Sequence, residues 1–250
     1  MHALILAPVL FQCAVAQAQP NATELVRKIR DNYFSAGSFH FVATVELREL
    51  GPNGNEFNKH STYLDLAIEL PNKVHLEGDV AGFGPSVTVV DGENIFLYLK
   101  QQNKYFEARV APPDTEVDER NITEKNISAY IMHVGRSVAL GLQDTTAGQE
   151  QVTSLREDRL DVDGRSIDCW VVQIKGRPWK DAVSTWWIDR KRYVLIREDM
   201  VSVTQPGVES RSSTFFKSVS INEPLSDALF RFTPPQGAIK VSKLADLNSQ

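Results

Sequence analysis

The sequence is poor in most of the features that announce chemistry. Two cysteines, Cys13 and Cys169, occur in 250 residues, which excludes a disulfide framework and a paired-cysteine metal site. The five histidines, at 2, 40, 60, 75 and 133, stand singly, and no H-E-x-x-H or carboxylate cluster supplies metal-ligand spacing. No nucleophile elbow or phosphate loop is present, and Gly82-Phe83-Gly84 lacks the third glycine of a dinucleotide site. Asp161-Val162-Asp163-Gly164 lacks the closing glutamate of a calcium loop and reads as a hairpin turn. Long charge runs are missing too. The 27 basic and 32 acidic residues are interspersed, with a formal net charge of −5, which argues against nucleic acid or an anionic membrane as the main partner. Neither an enzyme nor a cofactor-dependent protein is expected.

What is present begins at the N-terminus. Ala3 to Ala16 carries no charge, and Ala14-Val15-Ala16 and Ala16-Gln17-Ala18 both fit the A-x-A pattern of a cleavage site. Residues 1–18 are therefore expected to be a signal peptide, although a basic leading region is missing. Leu10-Phe11-Gln12 before Cys13 lacks the small residues of a lipoprotein signal. No later stretch approaches the roughly 20 apolar residues of a membrane span. Cys169, beside the apolar Trp170-Val171-Val172, reads as a buried, inert thiol.

Periodicity gives the fold class. Asn21 followed by Glu24 is a capping box, and Leu25, Val26, Ile29 and Tyr33 make one apolar helix face with Gly37 as a stop. From Phe39 the period becomes two: Phe39, Phe41, Ala43, Val45 and Leu47 alternate with more polar positions. Short strands follow, punctuated by Gly51-Pro52-Asn53-Gly54, Pro71-Asn72, Asp91-Gly92 and Asp163-Gly164. Ile127, Ile131, Val134, Val138 and Leu142 recur at helical spacing, giving a second helical region over 124–143, weakened by Gly135 and Gly141. Later strands are expected at 167–175, 183–189, 193–203 and 211–219, with Trp186 and Trp187 facing opposite sides. No linker divides the chain, so residues 19–250 read as one domain, expected to be monomeric. About ten strands and two apolar-faced helices predict a mainly β, α+β fold: a curved antiparallel sheet forming a half-open barrel, with helices as lid or plug on its concave side.

Four stretches carry a resemblance. Leu229-Phe230-Arg231-Phe232-Thr233-Pro234-Pro235-Gln236-Gly237 resembles the closing segment of the LolA-like lipoprotein carriers, where a last strand runs into F-T-P-P-x-G. Gly37-Ser38-Phe39-His40, Leu70-Pro71-Asn72-Lys73 and Val89-Val90-Asp91-Gly92 match in the same order. The resemblance spans residues 25 to 241. It implies a periplasmic carrier, without cofactor, that moves acylated lipoproteins or lipids between inner- and outer-membrane partner proteins. Each buried CH₂ is worth about 0.8 kcal/mol, so an acyl chain needs a shield to cross water. Alternation places Phe39, Phe41, Val45, Leu64, Leu66 and Leu97 as the lipid-binding lining, under a lid of Leu25, Ile29, Ile131, Val134 and Val138. The family's lid-holding arginine is replaced by Leu70, and Trp179 to Arg197 is an added segment. The same fold also serves regulators that sense envelope stress through a protein partner, which is the alternative function.

Overall fold

The computed structural model describes residues 20–80, 84–112, 115, 123–131, 151–176 and 181–247. The expected signal peptide, Val134 and Val138 lie outside them. Helix α1 (Ala22–Phe34) forms where the capping box predicts: the Asn21 side-chain oxygen accepts from the backbone N–H groups of Thr23 and Glu24, at 2.9 and 3.3 Å. It ends three residues before Gly37, because the Ser35 backbone N–H and hydroxyl both donate to the Asp31 carbonyl.

Among the described residues twelve strands follow, in one sheet. They are β1 (Ser38–Leu50), β2 (Glu56–Glu69), β3 (Lys73–Val80), β4 (Gly84–Asp91), β5 (Asn94–Leu99) and β6 (Lys104–Arg109), then β7 (Gln151–Val162), β8 (Arg165–Lys175), β9 (Val183–Asp189), β10 (Leu195–Gln205), β11 (Val208–Ile221) and β12 (Ile239–Val241). Their spatial order is β12-β6-β5-β4-β3-β2-β1-β11-β10-β9-β8-β7. Two antiparallel meanders thus meet along the long β1–β11 seam. The ends, β12 and β7, do not pair, so the barrel stays open. Twelve strands laid flat would span roughly 55 Å. Here α1 instead runs straight into β1 and also touches β7 at the far edge, which requires the sheet to curl around it.

The core lies on the concave side. Leu25, Val26, Ile29 and Tyr33 of α1 join inward side chains from both meanders in one cluster. The stretch at 127–131 is helical and adds Ile127 and Ile131. It is tied to the end of β6 by the Ala111 N–H, which donates to the Ser128 hydroxyl at 2.7 Å.

The C-terminal segment departs from the expectation of a strand entering the Pro-Pro pair. Asp227–Phe230 is a 3₁₀ turn capped by Ser226, and residues 231–235 run outside the ladder. Pro234 and Pro235 have no N–H to give a neighbour. Gly237, at φ +75°, turns the chain, and β12 then pairs in parallel with β6. The strand follows the motif instead of preceding it.

Candidate functional site

The concave surface can be traced row by row through the registers. Phe41 faces Leu66, Leu66 faces Leu76, Leu76 faces Thr88, Thr88 faces Leu97 and Leu97 faces Phe106; on the other side Phe41 faces Val219. All are buried. Thr88 is the polar exception, and its hydroxyl has no hydrogen-bond partner. Of the sequence-predicted lining, Phe39, Phe41, Leu66 and Leu97 are buried in the central cluster, with Leu64 packed against it. Val45 is half-buried and stands one step further along β1, between Thr62 and Thr214. Leu25, Ile29 and Ile131, expected as the lid, pack into the same cluster as the expected lining.

Beyond Val45 the inner surface changes character. Thr214 faces Glu198, and Glu198 faces Trp186, whose indole N–H donates to the Glu198 carboxylate at 2.9 Å. Further along come Ser212, Met200 and Ser184, then Ser210 and Ser202. Ser184, Ser202 and Ser210 are buried, and the Ser202 hydroxyl has no partner. The concavity is therefore apolar beneath α1 and rich in hydroxyls toward its other end.

Leu70 is exposed at the turn before Pro71, and its backbone N–H donates to the Gly37 carbonyl at 2.8 Å. The helix is fastened elsewhere. The Tyr33 hydroxyl accepts the Leu195 N–H at 3.2 Å, the Asn32 amide donates to the Tyr193 carbonyl at 3.3 Å, and the Lys28 ammonium lies 3.5 Å from the Tyr193 ring centroid. Burial pushes the Tyr33 phenol up to about 12, so it stays protonated. Tyr193 and Leu195 lie at the turn from β9 into β10, so that turn holds the helix.

The outer surface is not uniformly wet. On β3–β5 the outward residues His75, Val87, Val89 and Tyr98 lie beneath Ser226, Ala228, Leu229, Phe232 and Pro235 of the C-terminal segment, around a cavity of about 620 Å³. Phe232 stacks on Phe96 at 5.2 Å and tilts against Tyr98 and Tyr105 at 6.1 and 5.5 Å. Beside this, His40 Nε2 is 2.8 Å from Asp65, which also accepts the Tyr63 hydroxyl at 3.2 Å. Burial alone would raise the Asp65 carboxyl; the His40 hydrogen bond and charge outweigh it and hold it below its ordinary value. Over the second meander Trp187 covers Cys169 and Val171, while Trp186 points into the core, so the two tryptophans do face opposite sides. Burial, then the nearby carboxylates, pushes the Cys169 thiol up to about 11.

Among the described residues no group of three or more His, Cys, Asp or Glu is placed to hold a metal ion, and no helix is long and apolar enough to cross a membrane. The outer cavity was not anticipated. The signal was present, since Val87 to Val90 and Ile95 to Leu99 are nearly unbroken apolar runs, the pattern of strands covered on both faces.

The class that this geometry defines is a half-open β-barrel: one open, curved sheet with a helix roofing its apolar inner face. No family model matches the sequence. The chain is similar to an uncharacterized protein of Methanocaldococcus jannaschii, 22% identical over 232 residues, which cover 93% of this chain and 57% of that protein. It thus spans little more than half the length of that curated relative. Among solved structures it is similar to a LolA superfamily protein from Nitrosomonas europaea (10% identity, 86% of this chain and 99% of that chain, TM-score 0.30). It is also similar to the MucA/MucB complex of Pseudomonas aeruginosa (14% identity, 83% of this chain and 60% of that chain, TM-score 0.38). These are likenesses of fold at low identity.

Proposed function

We propose that the protein is an exported carrier that holds the acyl chain of a lipoprotein or lipid against its concave face and releases it to a second membrane. The observation that carries this reading is the composition of that face. The row from Val219 through Phe41, Leu66, Leu76, Leu97 and Phe106 is apolar but for Thr88, and its cover is a separate helix instead of a second sheet. The cover is fastened by a small number of polar contacts to the 193–195 turn, so α1 can lift without breaking any strand ladder. An acyl chain that replaces α1 on the inner row recovers the burial that the helix gives up, at about 25 cal/mol per Å² of apolar surface. The hydroxyl-rich end beyond Val45 offers hydrogen bonds to an ester or headgroup.

In this reading residues 1–18 direct export and are removed, and the carrier works in the periplasm between a donor and an acceptor membrane protein. The test is co-purification. Protein made in a periplasm is extracted with organic solvent and the extract analysed by mass spectrometry. Acyl chains near one per protein are the expected result, reduced several-fold in Leu64→Arg, a substitution at a half-buried inner position. Protein that is folded and free of acyl chains would sink the carrier reading. If that protein captured a specific membrane protein, the sensor function would replace it.

A further inference from the structure

We infer that the outer cavity between β3–β5 and the C-terminal segment is a second ligand site, one that takes an amphipathic anion: an acyl chain with a carboxylate or phosphate head. It lies on the opposite side of the sheet from the concave face and does not rest on the carrier reading. Three observations converge on it.

The first is shape. At about 620 Å³ it falls within the range of small-molecule pockets. Its floor is Val87 and Val89, and Leu229, Phe232 and Pro235 form the wall. Val89 is itself buried, so the floor is rigid sheet and the wall is a strap pinned by the Phe96–Phe232 stack.

The second is charge. The rim carries Lys100 and Arg231. Lys100 is paired with Glu77. Arg231 is exposed, and its guanidinium has no carboxylate partner among the described residues. It also borders a neighbouring cavity with Asp91, Glu93 and Asp227, each of which has another partner. Asp227 pairs with Lys73 at 3.2 Å, Glu93 with Arg109 at 3.6 Å, and Asp91 accepts the N–H groups of Glu93 and Asn94. A planar guanidinium left free at the mouth of an apolar cavity suits a carboxylate or phosphate oxygen.

The third is an unpaired polar atom. His75 lines the cavity, and its Nδ1 is shielded from water without a hydrogen-bond partner. A turn of the ring toward the cavity lets a protonated Nδ1 donate to a ligand oxygen there.

The occupant is thus an apolar chain lying along Val87, Val89 and Phe232 with its anionic head at Arg231. The experiment is calorimetric titration of the full chain with laurate, dodecyl phosphate and dodecyltrimethylammonium, each below its micelle concentration. Both anions, or one of them, bind in a step that the cation does not share; the tighter anion identifies the head. Arg231→Glu, at an exposed position, weakens anion binding by about tenfold or more, as loss of a charge-assisted contact does. Ala228→Trp, also exposed, fills the cavity and abolishes binding. Val203→Ala, at an exposed position on β10 away from the cavity, leaves it unchanged. Equal binding of the cation, insensitivity to both outer-face variants, loss with Val203→Ala, or no binding of either anion overturns the proposal. Circular dichroism confirms that each variant is folded, and Arg231→Glu keeps the test valid if the tryptophan variant is not.

Discussion

Strands β1 and β5 carry the same fold in two different dialects. In β1 the inward Phe39, Phe41 and Ala43 are buried while His40, Val42 and Thr44 between them are only half-buried. In β5 the inward Ile95, Leu97 and Leu99 are buried just as deeply, but the outward Phe96 and Tyr98 are aromatic and lie under Phe232. Both outward faces are half-buried, but only β5 turns aromatic rings outward beneath a second layer. The difference teaches where a second layer lies. A half-open barrel needs cover only inside, so an apolar outer face marks a place where the chain has come back to dress the convex side.

The largest effect is expected from the inner row. Phe41 is 2% exposed and packs edge-on against Phe216 at 5.3 Å, and Phe41→Ala costs about 3–5 kcal/mol by urea denaturation. Next is the helix fastening. Tyr33→Phe leaves the buried Leu195 N–H without its acceptor, a loss of about 1–3 kcal/mol, with faster amide exchange at Leu195 and along α1. On the outer row Phe232→Ala removes one stacked and two tilted ring contacts at a half-buried site and costs about 1–2 kcal/mol. Its signature is protease sensitivity of residues 226–239 while β1 and β2 keep their exchange protection. If Phe232→Ala costs as much as Phe41→Ala, the two faces are one core and the contrast fails.

Acid sharpens the comparison. Arg156, then the Trp187 indole N–H and the Arg159 N–H, hold the Asp158 carboxyl down to about 2, and Asp65 is also held below its ordinary value. Both groups are lower in the folded state than in the unfolded chain. Their stabilisation is complete above the ordinary aspartate value of 3.8 and is lost as pH falls through the folded values toward about 2. Stability measured from pH 5 to 2 should fall, and Asp65→Asn should flatten part of that slope. The smallest effect has the opposite sign: Thr88→Val removes the buried, unpartnered hydroxyl from the inner row and should gain about 1 kcal/mol.

Much of the fold was legible because period-two alternation and turn chemistry agreed. Asp163-Gly164 turns β7 into β8 with both residues at positive φ, as the residue types require, and the 183–189 strand appears with the boundaries expected. The capping box placed α1 and its buried face. What failed did so for identifiable reasons. The Phe-Thr-Pro-Pro stretch was read as the end of a strand, but its backbone takes no part in a ladder and its aromatic ring packs on a convex face instead. Alternation assigns residues to faces but does not say what covers a face, so the apolar runs marked a covered outer face while the segment that covers it, and the Tyr33 fastening, were not legible. Both depend on residues more than 100 positions apart in the chain.

The central claim is that the row under α1 is where an acyl chain lies, and photolabelling tests it most directly. A neutral diacylglyceride bearing a diazirine lacks the anionic head that Arg231 would select, so it favours the concave face. The expected result is label on peptides carrying Phe41, Val45, Leu64 and Leu66, with more label in Tyr33→Phe, where α1 is released. Label confined to the outer face, or none on β1 and β2 in folded protein, would contradict it.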